Sequence, residues 1–137
     1  MAETIRLVDY FYVEAPDKPG EGVKYLGQLK EAGVALLAFS GFPKGRRTQL
    51  DFIPADAAVF KAVAKKARWK VVGPKKGFLV QGADRTGAVA ELLAKLSEAK
   101  INVTASDAVC AGNDRFGMLL WVKPRDVKKA AKALGVV

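Results

Sequence analysis

The chain has no histidine and one cysteine, Cys110, among its 137 residues. Without histidine, the Ser–His–Asp and Cys–His routes to an activated nucleophile are closed. With a single thiol besides, the usual zinc and haem ligand sets cannot be assembled. No catalytic residue, metal site or cofactor is expected. A lone cysteine cannot close an internal disulfide, which fits a reducing compartment. No apolar run approaches the ~20 residues that span a bilayer, so no membrane partner is expected. The opening Met-Ala-Glu-Thr offers neither a basic n-region nor an apolar h-region, so the expected location is the cytoplasm.

What is present is a near repetition. Asp17-Lys-Pro-Gly20 opens one apolar stretch and Asp84-Arg-Thr-Gly87 opens another, at an offset of 67. The register holds through Leu26 and Leu93, Leu29 and Leu96, and Ala38 and Ala105. Pro54 and Asp56 then match Pro124 and Asp126 at an offset of 70. Two copies of one small fold are expected, residues 1–73 and 74–137. Each alone would be marginal, so the copies are expected to pack on one another or on a second chain.

The hydrophobic pattern predicts the same order of elements in each copy. In the first, Thr4–Ala15 reads as a long strand, Gly20–Ala32 as a helix ended by Gly33, Val34–Phe39 as a strand, Gly41–Gly45 as a turn and Thr48–Ile53 as a strand. A helix from Pro54/Asp56 follows, with Val59, Ala62 and Val63 inward, and then a strand Trp69–Val72. Gly73-Pro-Lys-Lys-Gly77 reads as a linker. The second copy supplies strand Phe78–Gln81, helix Gly87–Ala99, strand Ile101–Ser106, a turn at Ala111–Asp114, strand Gly117–Lys123 and helix Pro124–Leu134. Its fourth strand is short or missing. The long first strand, or a partner chain, is expected to fill that place.

This is the βαββαβ order of two ferredoxin-like domains, an α+β class with a four-stranded antiparallel sheet and two helices on one face in each. Alternation places Phe11, Val13, Leu50 and Phe52, with Phe78, Val80, Leu120 and Val122, under the helices. Tyr10, Tyr12, Gln49 and Asp51, with Leu79, Leu119 and Trp121, fall on the opposite faces. Those last three make a poor water-facing surface. Either the other copy covers them or they form a homodimer interface.

The two strand–helix junctions are the candidate sites. A helix N-terminus leaves backbone N–H groups unpaired and carries partial positive charge, which suits a carboxylate. Gly20 and Gly87 remove the Cβ that would hinder a close ligand. Asp17 and Asp84 could cap the helix or accept an ammonium group. A free amino acid carries both groups.

The run Asp84-Arg-Thr-Gly-Ala-Val-Ala-Glu-Leu-Leu, followed by Glu98-Ala-Lys-Ile-Asn-Val, resembles an ACT domain. Asp17-Lys-Pro-Gly followed by Leu-Lys-Glu-Ala-Gly-Val resembles a second, more divergent one. Together they are similar to a stand-alone tandem ACT-domain protein. The resemblance implies a non-enzymatic regulatory module that binds a free amino acid at a domain or subunit interface, works as a homo-oligomer such as a dimer, and acts on a regulated protein partner. It implies ligand contacts at Asp84, Arg85, Thr86, Gly87, Ala88 and Asn102, with Asp17 and Gly20 as their counterparts in the first copy. The position aligned with Asn102 is Ala35, which cannot contribute an amide, so the second copy is the stronger candidate.

Two other classes share the topology. The net charge of +9 and the run Arg115-Phe-Gly-Met-Leu-Leu-Trp raise an RNA-binding module, which needs aromatics on the open face. Only Tyr10, Tyr12 and Trp121 point that way, so nucleic acid is the weaker reading. A purely structural oligomerisation module is the other alternative. The stretch Gly77–Arg85 faintly resembles an acylphosphatase loop, but its spacing departs on both sides of Val-Gln-Gly.

Overall fold

A computed structural model describes residues 3–136 of the chain. The element order is β1 (Thr4–Pro16), α1 (Glu21–Glu31), β2 (Leu36–Lys44), β3 (Arg47–Pro54), α2 (Ala57–Lys66), β4 (Val72–Ala83), α3 (Ala88–Glu98), β5 (Val103–Gly112), β6 (Arg115–Val122), a 3-10 turn (Pro124–Asp126) and α4 (Val127–Leu134). The fold is α+β, with six strands and four helices among the described residues.

The chain divides into two compact units. One is residues 9–75. Among the described residues, the other joins residues 3–8 to residues 76–136. In the first unit, neighbouring strands run β2-β3-β1-β4, and in the second β1-β4-β6-β5. β1 and β4 are thus each divided between the two. Within the second unit, Gly82 of β4 lies so close to Glu3 that a Cβ there would come within 2.7 Å of its side chain. Within the first, a Cβ on Gly73 would meet the Tyr10 carbonyl at 2.8 Å. Both glycines permit close strand approach.

In residues 9–75, Phe11 and Val13 of β1 and Leu50 and Phe52 of β3 pack with Leu29 of α1 and with Phe60 and Ala64 of α2. Phe11 pairs with Phe52 in antiparallel register, and its ring stacks on Phe60 at 4.8 Å. In the second unit, Phe78, Val80, Leu120 and Val122 pack with Ala88, Leu92 and Leu96 of α3 and with Ala130 and Leu134 of α4. The side chains read as lying under the helices do lie there. Leu79, Leu119 and Trp121, read on the opposite face, are also buried within the chain alone. That face therefore does not offer a second copy the open surface that alternation left as one option.

Helix starts and stops follow local chemistry. Asp56 caps α2, accepting from the backbone N–H groups of Ala58 at 2.9 Å and Val59 at 3.3 Å. Gly33 adopts φ 72° just past α1, where a left-handed residue closes the last turn.

Four local expectations are corrected. Gly73–Gly77 is not a linker but the first part of β4. Its Gly-Pro-Lys composition imitates a turn, whereas its pairing beside β1 makes it a strand. Trp69–Val71 is not a strand, since β4 begins at Val72. The turn read at Gly41–Gly45 shrinks, because β2 continues to Lys44 and β3 starts at Arg47. Pro43 is tolerated there because β2 is an edge strand and needs no second N–H partner. Of the residues read as inward on α2, Val63 packs against the core, but Val59 is 41% exposed and Ala62 is exposed, and Phe60 and Ala64 are the buried ones. After α4, Gly135 ends the helix at φ 78°. No strand follows among the described residues; Val137 lies outside them.

A candidate ligand cleft at the start of α3

The sequence placed two like junctions before two helices, and their backbones agree. Gly20 precedes α1 at φ 91°, ψ −10°, and Gly87 precedes α3 at φ 85°, ψ 3°. L-residues with a Cβ avoid this region, so glycine is required at both. Neither helix has a side-chain cap. Asp17 and Asp84 therefore do not act as N-caps, and the first-turn N–H groups are left without a side-chain acceptor.

The junctions differ in what surrounds them. Asp84, Arg85, Gly87 and Ala88 line a cleft of about 200 Å³ together with Val89, Ala90, Ala108, Val109, Cys110 and Phe116. In the first copy the position matching Ala88 is Glu21, which is buried at 6% exposure. Its carboxylate pairs with Lys24 at 2.9 Å and Lys18 at 3.9 Å. Asp17 and Gly20 are exposed on that loop.

Within the cleft the polar groups have set partners. The Asp84 N–H donates to the Asp114 carbonyl at 2.7 Å, which fixes the loop against the β5–β6 turn. The Ala88 N–H donates to the Arg85 carbonyl at 3.3 Å, so it is spent on the loop itself. The Arg85 guanidinium reaches Glu3 at 2.8 Å and also pairs with Glu91. These hydrogen bonds hold it above its ordinary pKa. Cys110 lines the cleft with Asp84, whose carboxylate pushes the thiol upward. Asp84 is thus the acceptor on one wall, and the start of α3 is the positive end of the helix dipole.

Thr86 lies exposed on the loop and does not line the cleft. Asn102 is exposed immediately before β5 and is also absent from the lining. Ala108–Cys110, which do line it, lie toward the far end of the same strand. At roughly 3.3 Å per residue this separates Asn102 from them by about 20 Å. Ala108, Val109, Cys110 and Phe116 were missed because the sequence reading ended the β5 strand at Ser106. The Asn113-Asp114 pair, with φ 54° and 56°, is the residue type and geometry of a two-residue hairpin turn. It could have extended both strands in the reading.

The backbone likeness to known structures follows this arrangement. Protein BT0572 from Bacteroides thetaiotaomicron superposes with a TM-score of 0.81 at 16% identity, over 94% of this chain and 87% of that one. The ligand-free regulatory subunit of aspartate kinase from Thermus thermophilus gives 0.64 at 16%, over 98% and 93%. The corresponding subunit from Thermus flavus gives 0.60 at 16%, over 98% and 94%.

The chain has the fold of aspartate kinase regulatory subunits.

No family model matches the sequence, and no curated protein is similar to it. The likeness is therefore one of fold alone, spanning nearly the whole of this chain and of each regulatory subunit.

Two features bear on the alternatives. The aromatics a base-stacking face would need are covered, with Phe78 at 0% and Trp121 at 7% exposure. Tyr12 is half-buried, with Lys44 and Lys75 over its ring at 5.5 and 5.8 Å. No helix among the described residues is long and apolar enough to cross a membrane.

Proposed function

We propose that the chain is a non-enzymatic regulatory module of two ACT-like domains that binds a free amino acid in the cleft at Asp84–Ala88. The observation that carries this reading is the uncapped start of α3 behind a left-handed Gly87, opening into a cleft with a carboxylate on its wall. The ligand carboxylate takes the free first-turn N–H groups beyond Ala88, at Val89 and Ala90. Its ammonium faces Asp84. Its side chain lies against Val109 and Phe116. Arg85 orders the loop through Glu3 and Glu91, and Thr86 borders the entrance.

Asn102 enters from a second copy. β5 ends the strand order and is exposed along almost its whole length, so one of its edges is free to pair. An antiparallel β5–β5 contact centred near Ala108 sets Asn102 of one copy beside Asn113 and Asp114 of the other, next to the Asp84 loop. An amide there donates and accepts toward both ends of an amino acid. Ligand then favours the paired state, and the paired state is the signal to a regulated protein in the cytoplasm. In the first copy, Asp17 and Gly20 keep the loop, but Glu21 stands where the cleft of the second copy has Ala88. The fold shared with aspartate kinase regulatory subunits supports the regulatory role.

A thermal-shift screen of the free amino acids tests the reading. A ligand at a hundred times its Kd contributes about 2.7 kcal/mol, which raises Tm by roughly 5 °C or more in a chain of this size. One or two amino acids should do so, and Asn102→Ala should remove the effect. Stabilisation by single-stranded RNA alone, lost with salt, would favour the nucleic-acid alternative.

A further inference from the structure

The unit of residues 9–75 contains a cavity that the amino-acid site does not use. It is open to solvent and has a volume of about 220 Å³, room for about seven waters. Its floor is aromatic: Phe11 and Phe60, stacked on one another, with Ala64 beside them, are all buried. Trp69 forms a wall, its ring in contact with Phe60, Phe52 and Tyr25 at 6.1, 6.4 and 4.9 Å between ring centroids. Lys61 and Lys65, one turn apart on α2, form the rim and are exposed.

The charge here is one-sided. From Ala57 to Val72 the chain carries five cations, Lys61, Lys65, Lys66, Arg68 and Lys70, and no acidic residue. None of the five is in an ion pair among the described residues. Unneutralised ammonium groups at the mouth of an apolar cavity concentrate field there and draw an anion. The ring-lined interior favours a planar apolar body, since aromatic rings gain from offset or edge contact beyond their buried area. No carboxylate lines the cavity, so a ligand's ammonium would meet only like charge.

We propose that this cavity is a second binding site, for a monocyclic aromatic carboxylate without an α-ammonium group. The ring lies against Trp69 over the buried aromatic floor, and the carboxylate stays at the rim with Lys61 and Lys65. This separates the two sites of the chain by chemistry. The cleft at α3 offers an acceptor for an ammonium, and this cavity offers none.

The test is an NMR titration of the full chain, reading backbone amides from Phe60 to Gly73 and the Trp69 indole N–H. Phenylacetate should shift these resonances saturably at millimolar concentration. The double variant K61Q/K65Q, altering only exposed positions, should weaken that binding about tenfold. Phenylalanine, with the same ring and an added ammonium, and acetate, with the charge and no ring, should leave them in place. Absence of saturable phenylacetate shifts, equal affinity in K61Q/K65Q, or equal response to phenylalanine or acetate would each overturn the proposal. Shifts near Ala88 and Cys110 report on the other cleft, so the two sites succeed or fail separately.

Discussion

The Cys110 thiol and the Asp84 carboxylate line the same cleft at the start of α3, and the carboxylate raises the pKa of the thiol. The pair gives the cleft a chemical reporter. The carboxylate holds the thiol above its ordinary value of 9.0, and only the thiolate attacks a disulfide reagent. Asp84→Asn should therefore move the pH–rate profile of Cys110 modification by an aromatic disulfide toward lower pH. A bound amino acid should slow the reaction by occupying the cleft. A profile unmoved by Asp84→Asn would separate the two side chains.

The two glycine junctions should respond alike to one substitution. Gly20 and Gly87 both hold positive φ, and a Cβ at either meets nothing within 4 Å. The cost of Gly→Ala is thus backbone strain alone, about 1–2 kcal/mol at each. Urea denaturation of Gly20→Ala and Gly87→Ala should give losses of similar size. Only Gly87→Ala should also weaken amino-acid binding, because only that junction opens into the cleft.

Asp51 is a buried carboxylate on β3, at 4% exposure, accepting from Gln49 at 2.9 Å. Burial raises its pKa, and the hydrogen bond from Gln49 and the charges of Lys75 and Lys44 pull the other way without cancelling it. The folded state therefore keeps the proton longer than the unfolded state does. Stability falls as pH rises from the ordinary value of 3.8 through the raised folded one. Asp51→Asn should flatten that fall and leave the chain at neutral pH as stable or more so. Denaturant midpoints measured across the acid range would check it, and a steeper fall in Asp51→Asn would refute it.

Phe60 is fully buried and touches the rings of Phe11, Phe52 and Trp69. Phe60→Ala should cost about 3–5 kcal/mol through lost transfer energy and a residual cavity. Phe39, 39% exposed on the edge strand β2, should cost far less when truncated. The denaturant midpoints of the two variants give the comparison directly.

Much of this architecture was legible because period-two alternation is hard to imitate. Phe11, Val13, Leu50 and Phe52 could only face the helices if β1 and β3 were strands, and they do. The Asp-x-x-Gly repeat likewise announced two junctions whose glycine dihedrals agree within about ten degrees in φ. Where the reading failed, composition spoke louder than pairing. Gly73–Gly77 has every residue of a turn, and only its neighbour β1 makes it a strand. On α2, Val63 packs inward as read, but Val59 gives way to Phe60, since both are apolar and helical spacing alone does not choose between adjacent positions. The walls of the cleft were out of reach for another reason. Ala108–Cys110 come to Asp84 through the β5–β6 hairpin, and that hairpin was read too short.

The division of β1 at Val8 has a consequence for how the chain comes into being. Thr4–Val8 leave the ribosome before residues 9–75, and the rest of their own unit, from Lys76 onward, follows only after those. During synthesis this short segment must therefore wait until Lys76 and the residues after it have emerged. Its unit closes only after the chain of the other unit is complete.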